Sequence, residues 1–140
     1  MIRYPDWPER LHCFLMEVKE RPFKWGEWDC AAFCGEAVKR MTGEDLYAEM
    51  KGLYSSEEEA KELIQTKGFD TYESILWKML GEPISVTVAM RGDVVLSTAV
   101  RSGHSVIGVS LGENTVFVTI RGLVWVPTVD CDHAWKIGHV

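Results

Sequence analysis

Hydrophobic and polar positions along this chain follow two different periods. Up to about residue 81 the apolar positions recur every three to four residues, as on one face of a helix. Leu11, Phe14, Leu15 and Val18 form the first stripe, with Asp6 as candidate N-cap and Pro8 in the first turn. Asp29 can cap a second helix, continued by Ala31, Ala32, Phe33, Glu36, Ala37, Val38 and Met41 and closed by Gly43. Ser55 or Ser56 opens a third, acidic helix from Glu57 to Lys67 that ends at Gly68. Its Glu57-Glu58-Glu59 run suits the positive end of the helix dipole. Thr71 can cap a fourth helix carrying Ile75, Leu76, Met79 and Leu80, stopped by Gly81 and Pro83.

From about residue 90 the chain turns β-rich. Residues 94–100, 105–111, 115–120 and 123–126 are rich in β-branched side chains and predict strands, with 134–137 as a short last strand. Gly92-Asp93, Ser102-Gly103, Gly112-Glu113-Asn114 and Arg121-Gly122 separate them as turns. Helices first and antiparallel strands after predict a single α+β domain over residues 1–140. Its helical part runs to about residue 81 and its β-rich part from about residue 90. The sequence carries no internal repeat, linker or low-complexity segment.

Composition narrows the function classes. A chain of 140 residues with 46% hydrophobic content can bury one core. Its net charge of −6, with no basic stripe, argues against a nucleic-acid partner. The start Met1-Ile2-Arg3-Tyr4-Pro5-Asp6 lacks the apolar segment and small-residue cleavage site of a signal peptide. No apolar run approaches transmembrane length, so membrane insertion is not expected. Synthesis and folding in the cytosol follow as the expectation. There, Cys13, Cys30, Cys34 and Cys131 are expected as thiols rather than a disulfide framework. Cys30 and Cys34, four apart, share a helical face. Cys131 and His133 could join them at a metal, but the spacing matches no standard zinc module, so no metal or cofactor is expected. Trp7, Trp25, Trp28, Trp77, Trp125 and Trp135 read as core or groove-lining residues.

The segment richest in candidate chemistry is Pro22-Phe23-Lys24-Trp25-Gly26-Glu27-Trp28-Asp29-Cys30. It places Cys30 in a first helical turn. Unpaired backbone N–H groups and the positive dipole end there lower a thiol pKa and favour the reactive thiolate. The competing reading is a small buried apolar residue, a common fate of free cysteine.

Three segments, in order, resemble the landmarks of NlpC-type cell-wall peptidases. Pro22-Phe23-Lys24-Trp25-Gly26 with Asp29-Cys30 is similar to that family's Pro-Tyr-x-Trp-Gly run leading to an Asp-Cys at a helix start. Arg91-Gly92-Asp93-Val94-Val95-Leu96 resembles its Gly-Asp-Leu-Val-Phe-Phe strand. Ile107-Gly108-Val109-Ser110-Leu111-Gly112 resembles its Val-Gly-Ile-Tyr-Leu-Gly strand. With Ala134-Trp135 near the end, the set is closest to small NlpC-like proteins of phages and prophages, which sit among tail-tip genes. The resemblance implies a papain-like α+β fold, with N-terminal helices packed on a C-terminal antiparallel sheet. It also implies Cys30 as nucleophile, attacking an amide carbonyl with help from an imidazole, a polar group that orients it and an oxyanion site.

The chain departs from this pattern at the base. The family's histidine immediately precedes Val-Gly-Ile-Tyr-Leu-Gly, and the matching position here is Val106. His104, two residues upstream, is the candidate base. It would share a strand face with Val106 but lie about 7 Å away along it, unless a bulge or register shift near Gly103 moves it. The family's orienting polar residue falls near Val118, which cannot orient an imidazole, and Thr119 should face the other way. The family's tyrosine hydroxyl is lost at Phe23. Among the other histidines, His133 follows Asp130-Cys131-Asp132 and reads as a surface or strand-edge residue. His12 lies off the apolar stripe of the first helix, and His139 lies in the tail. Asp93 reads as a turn or structural residue.

Two functions stand side by side. One is a phage or prophage tail-tip component with a degenerate site and a structural role, made in the bacterial cytoplasm and incorporated in the virion tail. Its partners would be other tail-tip or hub proteins, met by the acidic stretch from Glu57 to Glu62 and by exposed aromatics. The alternative is an active tail-associated cysteine endopeptidase that cleaves peptidoglycan peptide stems during genome delivery, with Cys30 as nucleophile and His104 as displaced base. A third, an amidase or acyltransferase of the same fold, acts on another substrate.

Overall fold

The computed structural model describes residues 1–138. Four helices come first: α1 (Trp7–Val18), α2 (Cys30–Thr42), α3 (Glu57–Thr66) and α4 (Tyr72–Leu80). Five strands follow: β1 (Val94–Arg101), β2 (His104–Ser110), β3 (Asn114–Thr119), β4 (Gly122–Pro127) and β5 (His133–Trp135). They form one antiparallel sheet in the order β4-β3-β2-β1-β5. The architecture is α+β, and His139 lies outside the described residues.

Local signals explain the helix boundaries. Asp29, Ser56 and Thr71 each accept a hydrogen bond from a first-turn backbone N–H, at Ala32, Glu59 and Ser74 respectively. Such caps typically stabilise a helix by about 1 kcal/mol. Asp6 corrects one expectation. It occupies the cap position of α1 but makes no side-chain cap, because its backbone (φ −99°, ψ 24°) is not extended. Its carboxylate instead accepts from Arg10 Nε at 2.7 Å, one turn on.

α2 is the central helix, with nine of its thirteen residues buried. A helix apolar on nearly every side belongs between other layers. α1 packs along it through Leu11, Phe14 and Val18, and Phe14, Phe33 and Trp28 form an aromatic cluster with centroids 5.6–6.1 Å apart. Beneath α2 lies one face of the sheet, carrying Val94, Leu96, Ile107, Val109, Val116, Val118 and Trp135. Side chains alternate across a strand, so Val95, Phe117 and Ala134 emerge on the other face. The segment between α4 and β1 covers that second face with Ile84, Val86 and Ala89. Gly108 leaves no room for a side chain between β2 and β3. A Cβ there would lie 2.4 Å from the Val116 carbonyl oxygen.

One buried ion pair ties the ends of the chain together. Arg3 donates to the Asp93 carboxylate at 2.9 Å, to the Arg91 carbonyl at 2.7 Å and to the Ile137 carbonyl at 2.6 Å. Asp93 also accepts from the Ile137 and Met90 backbone N–H groups. The structural reading of Asp93 thus gains its physical content. Two of the six tryptophans depart from the core expectation: Trp77 and Trp125 are exposed.

Candidate functional site

The start of α2 is built by a tight loop and a buried tyrosine pair. Lys24 and Trp28 exchange backbone hydrogen bonds of 2.9 and 2.7 Å, folding the Trp25-Gly26 dipeptide into a turn. Gly26 has φ +79°, and a Cβ there would lie 1.9 Å from the Tyr54 carbonyl oxygen. Only glycine lets the two segments meet. Asp29 is fully buried. Its carboxylate accepts from Ala32 N–H at 2.9 Å, Gly26 N–H at 3.0 Å and the Tyr54 hydroxyl at 2.5 Å. With the Tyr54 proton directed at Asp29, the Tyr47 hydroxyl donates to the Tyr54 oxygen 2.6 Å away and has the Gly26 carbonyl at 3.4 Å as a second, longer acceptor. Burial pushes the Tyr47 phenol up to about 12 and raises that of Tyr54 as well, so both stay protonated donors.

Cys30 is buried beside this network. Burial pushes its thiol up to about 12, with the Asp29 carboxylate adding to the rise. The backbone N–H groups of Ile107, Ala31 and Cys30 itself pull the other way without reversing it. Of the two readings of Cys30, reactive thiolate and small buried residue, the burial matches the second. A helix start favours a thiolate only where solvent or a cation shares the work, and here desolvation wins. Cys34, one turn along, is buried and raised well above its ordinary value for the same first reason.

The position expected for a base holds Val106, half-buried against the core. His104 opens β2 opposite Arg101. Among the described residues no hydrogen bond or ion pair joins it to Cys30. Its Nδ1 instead lies 3.6 Å from Glu57 Oε1 at the start of α3. Arg101 donates to the same carboxylate at 2.9 Å, and that bond first, then the charges of Arg101, Lys61 and His104, holds the Glu57 carboxyl below its usual range. The pairing of β1 and β2 is irregular, but the extra residues lie on β1, between Ser97 and Arg101, rather than near Gly103. Val118 is a core residue. The Thr119 hydroxyl donates to the Gly122 carbonyl and accepts from Arg121 N–H, so it serves the turn. Phe23 packs edge-on against Trp25 at 5.0 Å.

The remaining candidates are dispersed. His12 and Cys13 are exposed on α1. His133 begins β5, its Nε2 3.3 Å from a Glu73 carboxylate oxygen on α4. Cys131 is buried on the opposite face of the sheet. Among the described residues no group of three or more His, Cys, Asp or Glu side chains could hold a metal ion. The cavity beside α2, lined by Cys34, Tyr47, Met50, Tyr72, Met79 and others, measures about 50 Å³. That is room for a small group, far below the several hundred Å³ of a typical ligand pocket. Sequence reasoning missed Tyr47 and Tyr54. Both sit in an irregular segment with no periodicity, where an isolated tyrosine carries no signal of burial.

A family model described as a domain of unknown function (DUF6950) matches residues 2–137, and the chain belongs to this family. No curated protein matches the chain.

Proposed function

We propose that this member of the DUF6950 family is a papain-like, NlpC-type domain whose cysteine site no longer hydrolyses peptides and which serves as a structural component of a phage or prophage tail tip. The observation that carries the degenerate-site reading is the environment of Cys30. Its thiol is desolvated, Val106 stands where the base is expected, and the His104 imidazole lies 3.6 Å from the Glu57 carboxylate. A cysteine nucleophile needs a thiolate and a proton carrier within hydrogen-bond reach. The Asp29–Tyr54–Tyr47 network supports the same reading. It spends the carboxylate on holding a loop to a helix rather than on orienting an imidazole.

The tail-tip context rests on the resemblance of the three ordered segments. The partners proposed are other tail-tip or hub proteins, with the exposed Glu58, Glu59 and Glu62 of α3 as one face available to them. The protein would be made in the bacterial cytoplasm and carried in the virion tail. The competing function, an endopeptidase that cuts peptidoglycan stems, requires His104 to leave Glu57 and reach Cys30. The test is digestion of purified peptidoglycan by the native protein and by Cys30→Ala, read as released peptides. No release above the Cys30→Ala control is expected. Release that depends on both Cys30 and His104 would replace the structural role with the enzymatic one.

A further inference from the structure

The two edges of the sheet are treated differently. The β5 edge is short and covered, because Ile84 bridges to Ala134 with hydrogen bonds of 2.7 and 3.3 Å. The β4 edge is open: in the strand order only β3 neighbours it. Edge strands usually carry a charge, a proline, a bulge or an inward lysine that discourages pairing; of these β4 has only a proline, Pro127, at its last position. β4 reads Gly122-Leu123-Val124-Trp125-Val126-Pro127 and has no charged residue. The large apolar side chains around it are exposed: Ile120 at 78% in the turn before it, Trp125 at 54% within it and Val129 at 65% just after it.

We propose that β4 pairs antiparallel with β4 of a second copy of this chain, about a two-fold axis at Val124, to make a continuous ten-stranded sheet. The sequence of the edge is complementary to itself in that one orientation. Centring on Val124 sets Trp125 opposite Leu123 of the other copy, and the reciprocal pair repeats it. Leu123 and Trp125 lie on the same face of β4, opposite Val118 and Val116 of β3. Aromatic–aliphatic pairs of this kind favour sheet pairing.

Charge supports this orientation. Arg121, exposed in the turn before β4, makes no ion pair among the described residues. At the far end lie the exposed carboxylates of Glu113 and Asp130, held beside Pro127–Thr128 by the Thr128 N–H to Glu113 carbonyl bond at 2.9 Å. Antiparallel pairing brings each Arg121 to the acidic end of the other copy. Parallel pairing would set like charge against like. A two-fold axis makes the contact isologous and closed. Six residues of edge bury less than the roughly 800 Å² per partner of a standard stable interface. A contact that small makes the dimer concentration-dependent.

Sedimentation velocity of the full chain from micromolar to millimolar concentration tests this. A monomer–dimer equilibrium is expected, abolished by Trp125→Lys. Arg121→Glu, in an exposed turn where folding is insensitive, should weaken it by about tenfold. Combining Arg121→Glu with Glu113→Arg and Asp130→Arg should restore it. A chain that stays monomeric throughout would overturn the proposal and leave the edge to a strand from another protein. So would a dimer that neither Trp125→Lys nor Arg121→Glu weakens, because it would use another surface.

Discussion

Replacing Asp29 by alanine removes three hydrogen bonds at once from a fully buried site. The loss can be built up from its parts. The cap to Ala32 N–H is worth about 1 kcal/mol. The Gly26 N–H and the Tyr54 hydroxyl each lose an acceptor inside the protein, at about 1–3 kcal/mol apiece. Tyr54 recovers part of its share by turning toward Tyr47, whose oxygen is 2.6 Å away. The sum is about 3–6 kcal/mol, against about 5–15 kcal/mol for the whole stability of a typical domain. Urea unfolding followed by circular dichroism reads this directly. With a slope of about 1–3 kcal/mol/M the midpoint should fall by about 2 M. Asp29→Asn keeps one carbonyl for Ala32 and should lose about half as much. Tyr54→Phe combined with Asp29→Ala should be less damaging than the sum of the two, with a coupling of about 1 kcal/mol or more. If Asp29→Ala shifts stability by less than about 0.5 kcal/mol, or if the two substitutions simply add, Asp29 does not hold this loop to α2.

Alkaline pH should destabilise the fold through Cys30. The folded state holds the thiol proton up to about 12, whereas an unfolded cysteine releases it near about 8.5. The folded state then binds the extra proton, so stability is full below about pH 8.5 and falls by about 1.4 kcal/mol per unit above it. Urea midpoints between neutral pH and pH 10 should show the fall, and Cys30→Ala should make the slope shallower by that amount while the share of the equally buried Cys34 remains; a flat native profile would contradict the buried thiols. Asp93→Ala should cost about 3–5 kcal/mol by stranding the buried Arg3 guanidinium, a drop of about 10 °C or more in Tm; an unchanged Tm would show that the Arg3–Asp93 pair is not closing the chain ends. Gly26→Ala forces a left-handed backbone at a cost of about 1–2 kcal/mol and drives a methyl into the Tyr54 carbonyl. Faster hydrogen exchange around Tyr54 and the start of α2 is expected, and unchanged protection there would refute the close approach.

Much of the fold was legible because its signals are local. The caps at Asp29, Ser56 and Thr71 fall where their residue types and the following apolar periods put them. The strands follow β-branched runs between glycine turns to within a residue or two, though the last runs from His133 to Trp135 rather than to Ile137. What escaped the reading is tertiary. Asp6 has the right residue type for a cap, but its backbone turns it toward Arg10. A place at a helix start carries no signal of the desolvation that decides the Cys30 thiol. Tyr47, Tyr54 and Arg3 act across long sequence separations, which no period encodes. Trp77 and Trp125 have the composition of core residues, yet α2 packs over β2 and β3 and leaves Trp125 on the edge strand exposed.

The central claim is that Cys30 is a protonated, shielded thiol with no base. The most direct measurement is the alkylation rate of each cysteine in the native protein against pH, resolved by mass spectrometry. A degenerate site, as proposed, predicts that Cys30 reacts slowly at neutral pH, far more slowly than the exposed Cys13, and at the same rate in His104→Ala. Rapid alkylation of Cys30 well below pH 8, with a rate that falls in His104→Ala, would show a thiolate–imidazole pair and contradict the account.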